Sequence, residues 1–341
     1  MRFFLSVLIL GGVAAAGAIL LLKRPIGPAV GTMPAPIVII TPGSSALKIG
    51  RVLAQAGMIR SQYAFAMWAR YKHGTLKAGA YRFDHPAAMT EIYDRLHRGD
   101  VYTVALTIPE GYNIFDIAQA VERAGLGSAQ TFLDAEQKNI DLIRDLAPNA
   151  TTLEGYLFPD TYQVTPMATS REILAGMVRR FRAEAQALHL NQNVASTVTM
   201  ASLVERETPV AEDRPMVAGV FVNRLQRKMP LDTDPSVIYA ALLEKRYRGT
   251  IYASDLKSES SYNTYVHTGL PPGPICNPGD PSLRAAMQPA ATENVYFVSD
   301  LLHPGHSRFA ATLAEHNKNV SAYRKELKQE NSSTLASGAR E

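Results

Sequence analysis

The stretch Val194-Ala-Ser-Thr-Val-Thr-Met-Ala-Ser-Leu-Val-Glu-Arg-Glu-Thr208 sets the frame for the rest of the chain. Its apolar residues recur at helical spacing, yet a carboxylate stands among them. Val198, Ala201 and Glu205 lie at i, i+3 and i+7 and so share a face, with Val194 near it and Thr199 and Arg206 turned away. A carboxylate at the rim of a buried stripe loses water, which raises its pKa, and an acid still protonated near neutrality can protonate a leaving oxygen. On periodicity alone the plainer reading is favoured, an edge carboxylate that reaches solvent or an arginine. Glu207 competes for any catalytic role. It lies about 200° further round, near Met200 and Leu203, so the two acids cannot enter one pocket.

Outward from this helix the texture is that of a mixed α and β domain. Upstream, Leu153–Tyr162 packs large apolar and aromatic residues with two acids, Glu154 and Asp160, and Ser170 opens a helix to about Leu188. Downstream, Met216–Arg227 reads as a helix, and Asp234-Pro-Ser opens another that ends near Leu243. Tyr262–Pro281 holds six prolines and three glycines in twenty residues. Such a run cannot form regular structure, and rigid irregular loops of this kind often line binding sites. A short helix capped by Ser282, a core strand Asn294–Ser299, a turn His303–Phe309 and a final helix Thr312–Leu327 complete the domain. His303, His306, Glu315 and His316 fit no helical zinc spacing, so no metal is expected. The lone His73, His85 and His97 read as surface residues.

The N-terminal half carries an internal repeat. Ile37–Ile40 reads as a strand, Thr41–Ser45 as a turn, Ala46–Ala56 as a helix and Gly57 as its stop. The same order returns 68 residues later as Val104–Ile108, Pro109–Gly111, Asn113–Ala124 and Gly125. Gly43 matches Gly111, Ile49 matches Ile117, Leu53 matches Val121, and Ala56 matches Ala124. Two copies are too few for a solenoid; they read as paired modules resembling LysM carbohydrate-binding domains. Between them lie an aromatic amphipathic helix Ser61–Lys72, a turn and strand Leu76–Phe83, and a helix Thr90–Arg98 capped by Thr90. A helical run Gln130–Leu146 follows the second copy.

Phe3–Leu22 is twenty residues without a charge, flanked by Arg2 and by Lys23-Arg24. At 1.5 Å per residue it matches the hydrocarbon core of a bilayer and reads as one membrane span. Ala14-Ala15-Ala16 also resembles a processing site. The flanking charges do not settle the orientation. Pro25–Pro36 is a proline-rich spacer, and no second apolar run follows. The 341 residues exceed one typical domain, and 46% are hydrophobic. A net charge of +4 is too small to argue for nucleic acid. The single cysteine, Cys276, excludes a disulfide framework and cysteine-rich zinc sites.

Taken together, Leu153–Tyr162, Ala201–Thr208, Val220–Tyr239, Tyr262–Gly279 and Gly305–Asn317 resemble the endolytic murein transglycosylase family, also called MltG or YceG-like. The resemblance covers nearly the whole chain. It implies that Glu205 is the catalytic residue, as the first acid of a Val-Glu-x-Glu-Thr motif. It further implies a single-pass anchor in the inner membrane, a body in the periplasm, and peptidoglycan glycan strands as substrate, with no cofactor and no nucleic acid. A partner among the peptidoglycan synthases fits work on nascent strands. Cleavage of the β-1,4 bond between N-acetylmuramic acid and N-acetylglucosamine would leave 1,6-anhydro ends.

The expected organisation is α+β: a cytoplasmic stub and transmembrane helix over 1–24, a linker over 25–36, LysM-like modules over 37–103 and 104–150, a catalytic domain over 151–327 and a disordered tail over 328–341. Expected substrate-binding residues are Asn223, Asp234, Ser236, Tyr262, Asn263, Thr264, Tyr265, Gly273, Pro274 and Asn277. Two other readings stay open at this point: a hydrolytic glycosidase pairing Glu205 with a second acid such as Asp234, and a non-enzymatic wall-binding scaffold resting on the repeats.

Overall fold

The computed structural model describes residues 23–31 and 34–338. The apolar run Phe3–Leu22 lies outside the described residues, and so does the membrane-span expectation placed on it. Among the described residues no helix is long and apolar enough to cross a membrane. The described residues divide into two compact units, one of those up to 105 with 162–168, the other of 106–161 with those from 169 on. The fold is mixed α and β, with eleven α-helices and three two-stranded sheets among the described residues.

In the first unit, β1 (Ile37–Ile40) pairs antiparallel with β2 (Gly79–Arg82), in a register that sets Ile37 against Arg82. β1 alternates, burying Val38 and Ile40 while Ile37 and Ile39 face out, as a half-buried strand must. Helices α1 (Ala46–Gln55), α2 (Gln62–Lys72) and α3 (Met89–Arg98) supply Ile49, Leu53, Phe65, Ile92 and Tyr93 to one core. Thr90 does not cap α3. The helix starts at Met89, and Ala88 takes the cap position without a side-chain hydrogen bond.

β3 (Val104–Ile108) pairs with β4 (Asp160–Val164). Helix α4 (Ile114–Arg123) then repeats α1 closely. Both N-caps accept from backbone N–H groups, Ser45 from Lys48 and Asn113 from Phe115 and Asp116. Gly43 and Gly111 adopt φ of 72° and 77°, and the stop glycines Gly57 and Gly125 adopt 71° and 70°. The repeat runs further than one constant offset reveals. Helix α5 (Ala129–Lys138) is capped by Ser128 and buries Phe132, just as α2 is capped by Ser61 and buries Phe65. One residue is missing between helices in the second copy. The expected run Gln130–Leu146 breaks after Lys138, and a short 3₁₀ turn Ile140–Ile143 follows.

The rest of the second unit is α6 (Ser170–Ala187), α7 (Val194–Glu207), α8 (Arg214–Gln226), α9 (Asp234–Leu243), α10 (Asp280–Met287), β5 (Tyr296–Ser299), β6 (Ser307–Ala310) and α11 (Leu313–Gly338). Thr169 and Glu172 form a capping box at α6. Helix α7 is buried nearly all round: Val198, Ala201, Leu203 and Val204 are closed off, and so are Thr199 and Ser202. A helix covered over most of its surface is the centre of its domain rather than a surface element. Thr199 therefore faces protein and not solvent. α10 begins at Asp280 with Pro281 in its first turn, so Ser282 sits inside the helix and is not its cap. The expected turn His303–Phe309 contains the start of β6, which pairs antiparallel with β5. The last helix continues as far as Gly338.

Candidate active site

Glu205 lies one half-turn from the end of α7, with its side chain 5% exposed. Both carboxylate oxygens are held. Oε1 accepts from Arg214 Nη2 at 3.0 Å, and Oε2 accepts from the backbone N–H of Gly279 at 3.0 Å. The buried Ser282 hydroxyl lies near this carboxylate and makes no hydrogen bond among the described residues. Burial pushes the Glu205 pKa up, and the Gly279 N–H and the Arg214 charge pull against it without cancelling it. Arg214, the first residue of α8, is itself 6% exposed, and its Nη1 lies 3.5 Å from Glu110 Oε2. Its Nε–H and Nη1–H have no hydrogen-bond acceptor among the described residues. Nη1 still has the Glu110 charge beside it, so Nε–H is the group left without a partner, and a buried donor in that state favours an oxygen acceptor.

Three segments far apart in sequence build this pocket, and one buried node locks them. Asn277 Oδ1 accepts from Leu157 N–H at 2.7 Å, and its Nδ2 donates to Tyr112 O at 3.0 Å and to Glu154 Oε1 at 2.8 Å. Glu154 Oε2 accepts from Ile114 N–H at 2.9 Å. The backbone of Asn277 donates to Tyr112 O, and Gly111 N–H donates to Asn277 O. Ser202 Oγ accepts from Ile275 N–H at 3.0 Å, which pins the same loop along α7. The turn Pro109–Gly111, the stretch Leu153–Leu157 and the proline-rich loop are thus one framework, and it delivers Gly279 N–H to Glu205. Full burial drives Glu154 up to about 8 and makes it a neutral acid at pH 7.

The chain has relatives. A family model described as YceG-like matches residues 38–322. The chain belongs to the YceG-like family. The YceG-like chain is 34% identical over 305 residues to a protein of Bacillus subtilis named endolytic murein transglycosylase, covering 83% of each. It is 31% identical over 317 residues to a protein of Streptococcus pneumoniae with the same name, covering 83% of this chain and 57% of that longer one. A crystal structure of a yceG-like protein of Listeria monocytogenes superposes with a TM-score of 0.54 at 31% identity, covering 84% of this chain and 99% of that one.

The other expected site residues of the YceG-like chain fall into separate groups. Tyr262, Gly273 and Pro274 meet at a cavity of about 160 Å³, with Tyr156 and Thr199 on its wall; Glu205 is not part of that wall. Asp234 accepts from the Tyr265 hydroxyl at 2.7 Å. Ser236 and Thr264 are buried and hydrogen-bonded to each other at 2.8 Å. Asn263 is buried, its Nδ2 donating to the carbonyls of Leu256 and Ser258. Asn223 Nδ2 donates to Thr292 O and Asn294 O. Glu207 belongs to a different environment from Glu205. Burial and the charge of Asp234 raise it to about 7, with Arg224 and Arg206 opposing. His303 and His306 pair with Asp300 and Asp213, and His316 stacks on Tyr296.

Sequence reasoning missed Arg214 and Glu110. Arg214 sits just outside the expected helix Met216–Arg227, and Glu110 was hidden inside a turn. A signal was present for Glu110, since the first copy of the repeat has Pro42 where the second has it.

Proposed function

We propose that this chain is an endolytic murein transglycosylase in which Glu205 serves first as acid and then as base. One observation carries the assignment: a closed-off carboxylate with a raised pKa, fixed by a backbone N–H and a buried guanidinium. The names of its relatives support the reaction class. Glu205 in its neutral form donates its proton to the glycosidic oxygen between N-acetylmuramic acid and N-acetylglucosamine, and the C1–O bond breaks. The 6-hydroxyl oxygen of the same muramic acid attacks C1, and its proton passes to the Glu205 carboxylate. Atoms balance without water, and the product is a 1,6-anhydro end. The attack is intramolecular, so effective molarity replaces a second activating group. Arg214 stabilises the carboxylate between the two proton transfers.

Tyr262, Tyr265, Asp234, Gly273 and Pro274 are read as contacts to sugar. Asn223, Ser236, Asn263, Thr264 and Asn277 are read as holding the walls, because their polar atoms are already engaged within the protein. Phe3–Leu22 is read as a single-pass anchor in the inner membrane with the body in the periplasm, and the LysM-like units as grips on glycan. Cleavage beside the membrane, next to a glycan polymerase, would end strand elongation. A hydrolytic reading draws on one observation, the sharing of Arg214 by Glu205 and Glu110, since paired carboxylates can activate water. Mass spectrometry of glycan digested in oxygen-18 water decides between them. Anhydro ends without label support lysis; labelled reducing ends, or unchanged cleavage by Glu205→Gln, overturn it.

A further inference from the structure

The charge of this chain is divided sharply along its length. The first 83 residues hold ten lysines and arginines and no aspartate or glutamate; Asp84 is the first acid. The remaining residues hold 25 basic and 31 acidic side chains and are net negative. The modest total charge conceals a strongly cationic N-terminal stretch. Lys23, Arg24, Lys48, Arg51, Arg60, Arg70, Lys72, Lys77 and Arg82 are all exposed.

One face of this stretch is also apolar. Tyr63, Met67 and Tyr71 follow one another at i, i+4 and i+8 on α2, and they are 65%, 73% and 72% exposed. They form a ridge about 12 Å long at 1.5 Å per residue. Trp68 lies beside it, its ring centroid 5.8 Å from that of Tyr71, with the Lys72 ammonium over its face. Aromatic residues flanked by lysine and arginine, with no acid among them, are the composition that settles at a bilayer interface. A plain solvated helix face would not gather two tyrosines and a methionine in line.

The chain leaving the apolar run is tied to the same place. Arg60, two residues before α2, donates from Nη1 to the carbonyl of Arg24 at 3.2 Å. Ile26 exchanges backbone hydrogen bonds with Ala87 at 3.1 and 3.0 Å. The sequence just after Leu22 is therefore fastened beside the start of the ridge. We infer that α2 is a membrane-docking face: Tyr63, Met67 and Tyr71 enter the headgroup layer of an anionic bilayer, and Arg70 and Lys72 on the same helix, with Arg60 just before it, bind its phosphates. The inference rests in part on reading Phe3–Leu22 as an anchor, which would end at this face.

Trp68 is the only tryptophan and reports on this face alone. The full chain is reconstituted into phosphatidylglycerol–phosphatidylcholine vesicles with brominated acyl chains, and Trp68 emission is compared with that in unbrominated vesicles. Docking predicts a blue shift and a loss of about half the emission. The triple variant Tyr63→Ser, Met67→Ser, Tyr71→Ser and the pair Arg70→Glu, Lys72→Glu should each restore most of it. Emission indifferent to bromination overturns the inference, as does a Trp68 response to soluble glycan strands with none to vesicles. Flotation after carbonate extraction tests the anchor separately. Quenched protein that carbonate strips away retains the docking face and loses the anchor reading. Carbonate-resistant protein with unquenched Trp68 does the reverse.

Discussion

Gly279 donates its backbone N–H to Glu205 Oε2 at 3.0 Å from a position where any side chain would run into the carboxylate of Glu110. The backbone at Gly279 is ordinary, with φ of −82°, so alanine is allowed conformationally and only the Glu110 carboxylate stands in its way. That carboxylate ends a half-exposed side chain and can swing out. Its negative charge is one of the influences that raise Glu205. Gly279→Ala is expected to fold normally, displace Glu110 and leave Arg214 to Glu205 alone. Glu205 then titrates lower. An acid that must be protonated to act loses activity at lower pH, so the alkaline limb of the cleavage profile moves to lower pH. An unmoved limb with normal thermal stability would count against Glu205 as the proton donor.

Glu205→Gln keeps the size of the side chain and an oxygen to accept from Gly279 N–H, but it removes the transferable proton and turns an amide NH2, which cannot accept, toward Arg214 Nη2. Loss of general acid catalysis is expected to slow glycan cleavage by about 10²–10⁴-fold, with a stability loss of about 1–3 kcal/mol from the acceptor that buried Arg214 gives up. Glu207→Gln should retain cleavage. Its carboxyl titrates at about 7 beside Asp234, so a neutral amide resembles the form it already adopts half the time at that pH. Rates of release of soluble fragments from the two variants test the assignment directly, and the reverse ranking would give the role to Glu207.

Much of this was open to sequence reading, and the failures have physical causes. Local signals carried far: Gly43 and Gly111 had to be glycines because their φ is positive, so their common offset marked a true repeat. The Ser61–Phe65 and Ser128–Phe132 match escaped because one missing residue breaks the offset. β6 escaped because a strand of four residues is specified by its partner β5 more than by its own composition. The framework joining Tyr112, Glu154 and Asn277 spans contacts more than a hundred residues apart, and no periodicity encodes such a distance. Glu205 was legible as a face, but its partners Arg214 and Gly279 come from other elements.

Arg214 holds two carboxylates from inside the protein, and its loss should be read in the pH profile before it is read in stability. Arg214→Gln removes the charge that pulls Glu205 down, leaving burial and Glu110 to raise it. Glu205 then stays protonated to higher pH. The acid step persists, but recovery of the 6-hydroxyl proton needs a carboxylate and weakens. The expected result is a cleavage optimum displaced to higher pH with a lower maximal rate, measured as kcat across pH 5–9. An optimum that stays in place would show that Arg214 does not govern the titration of Glu205.

The buried acid Glu154 ties stability to pH. Its pKa rises from 4.5 unfolded to about 8 folded, chiefly because burial penalises the charged form. Between those values the folded protein keeps a proton that the unfolded chain has released, so stability is full below about 4.5 and is lost as pH climbs through about 8. The slope approaches ~1.4 kcal/mol per pH unit for one such group. Glu136, raised to about 7 by burial and holding Leu153 N–H, adds to the decline over the lower part of that range. Glu154→Gln cannot ionise, but its amide nitrogen cannot accept, so either Ile114 N–H or Asn277 Nδ2 loses its acceptor at a cost of about 1–3 kcal/mol. At pH 5 the variant should therefore melt below the wild type; at ~1.4 kcal/mol per pH unit the wild type loses that advantage within about two pH units, and by pH 8 the variant should melt higher, because only in the wild type does the unfolded chain gain by releasing the Glu154 proton. Differential scanning calorimetry across this range measures both curves, and a gap of constant width would show that Glu154 is already ionised in the folded protein.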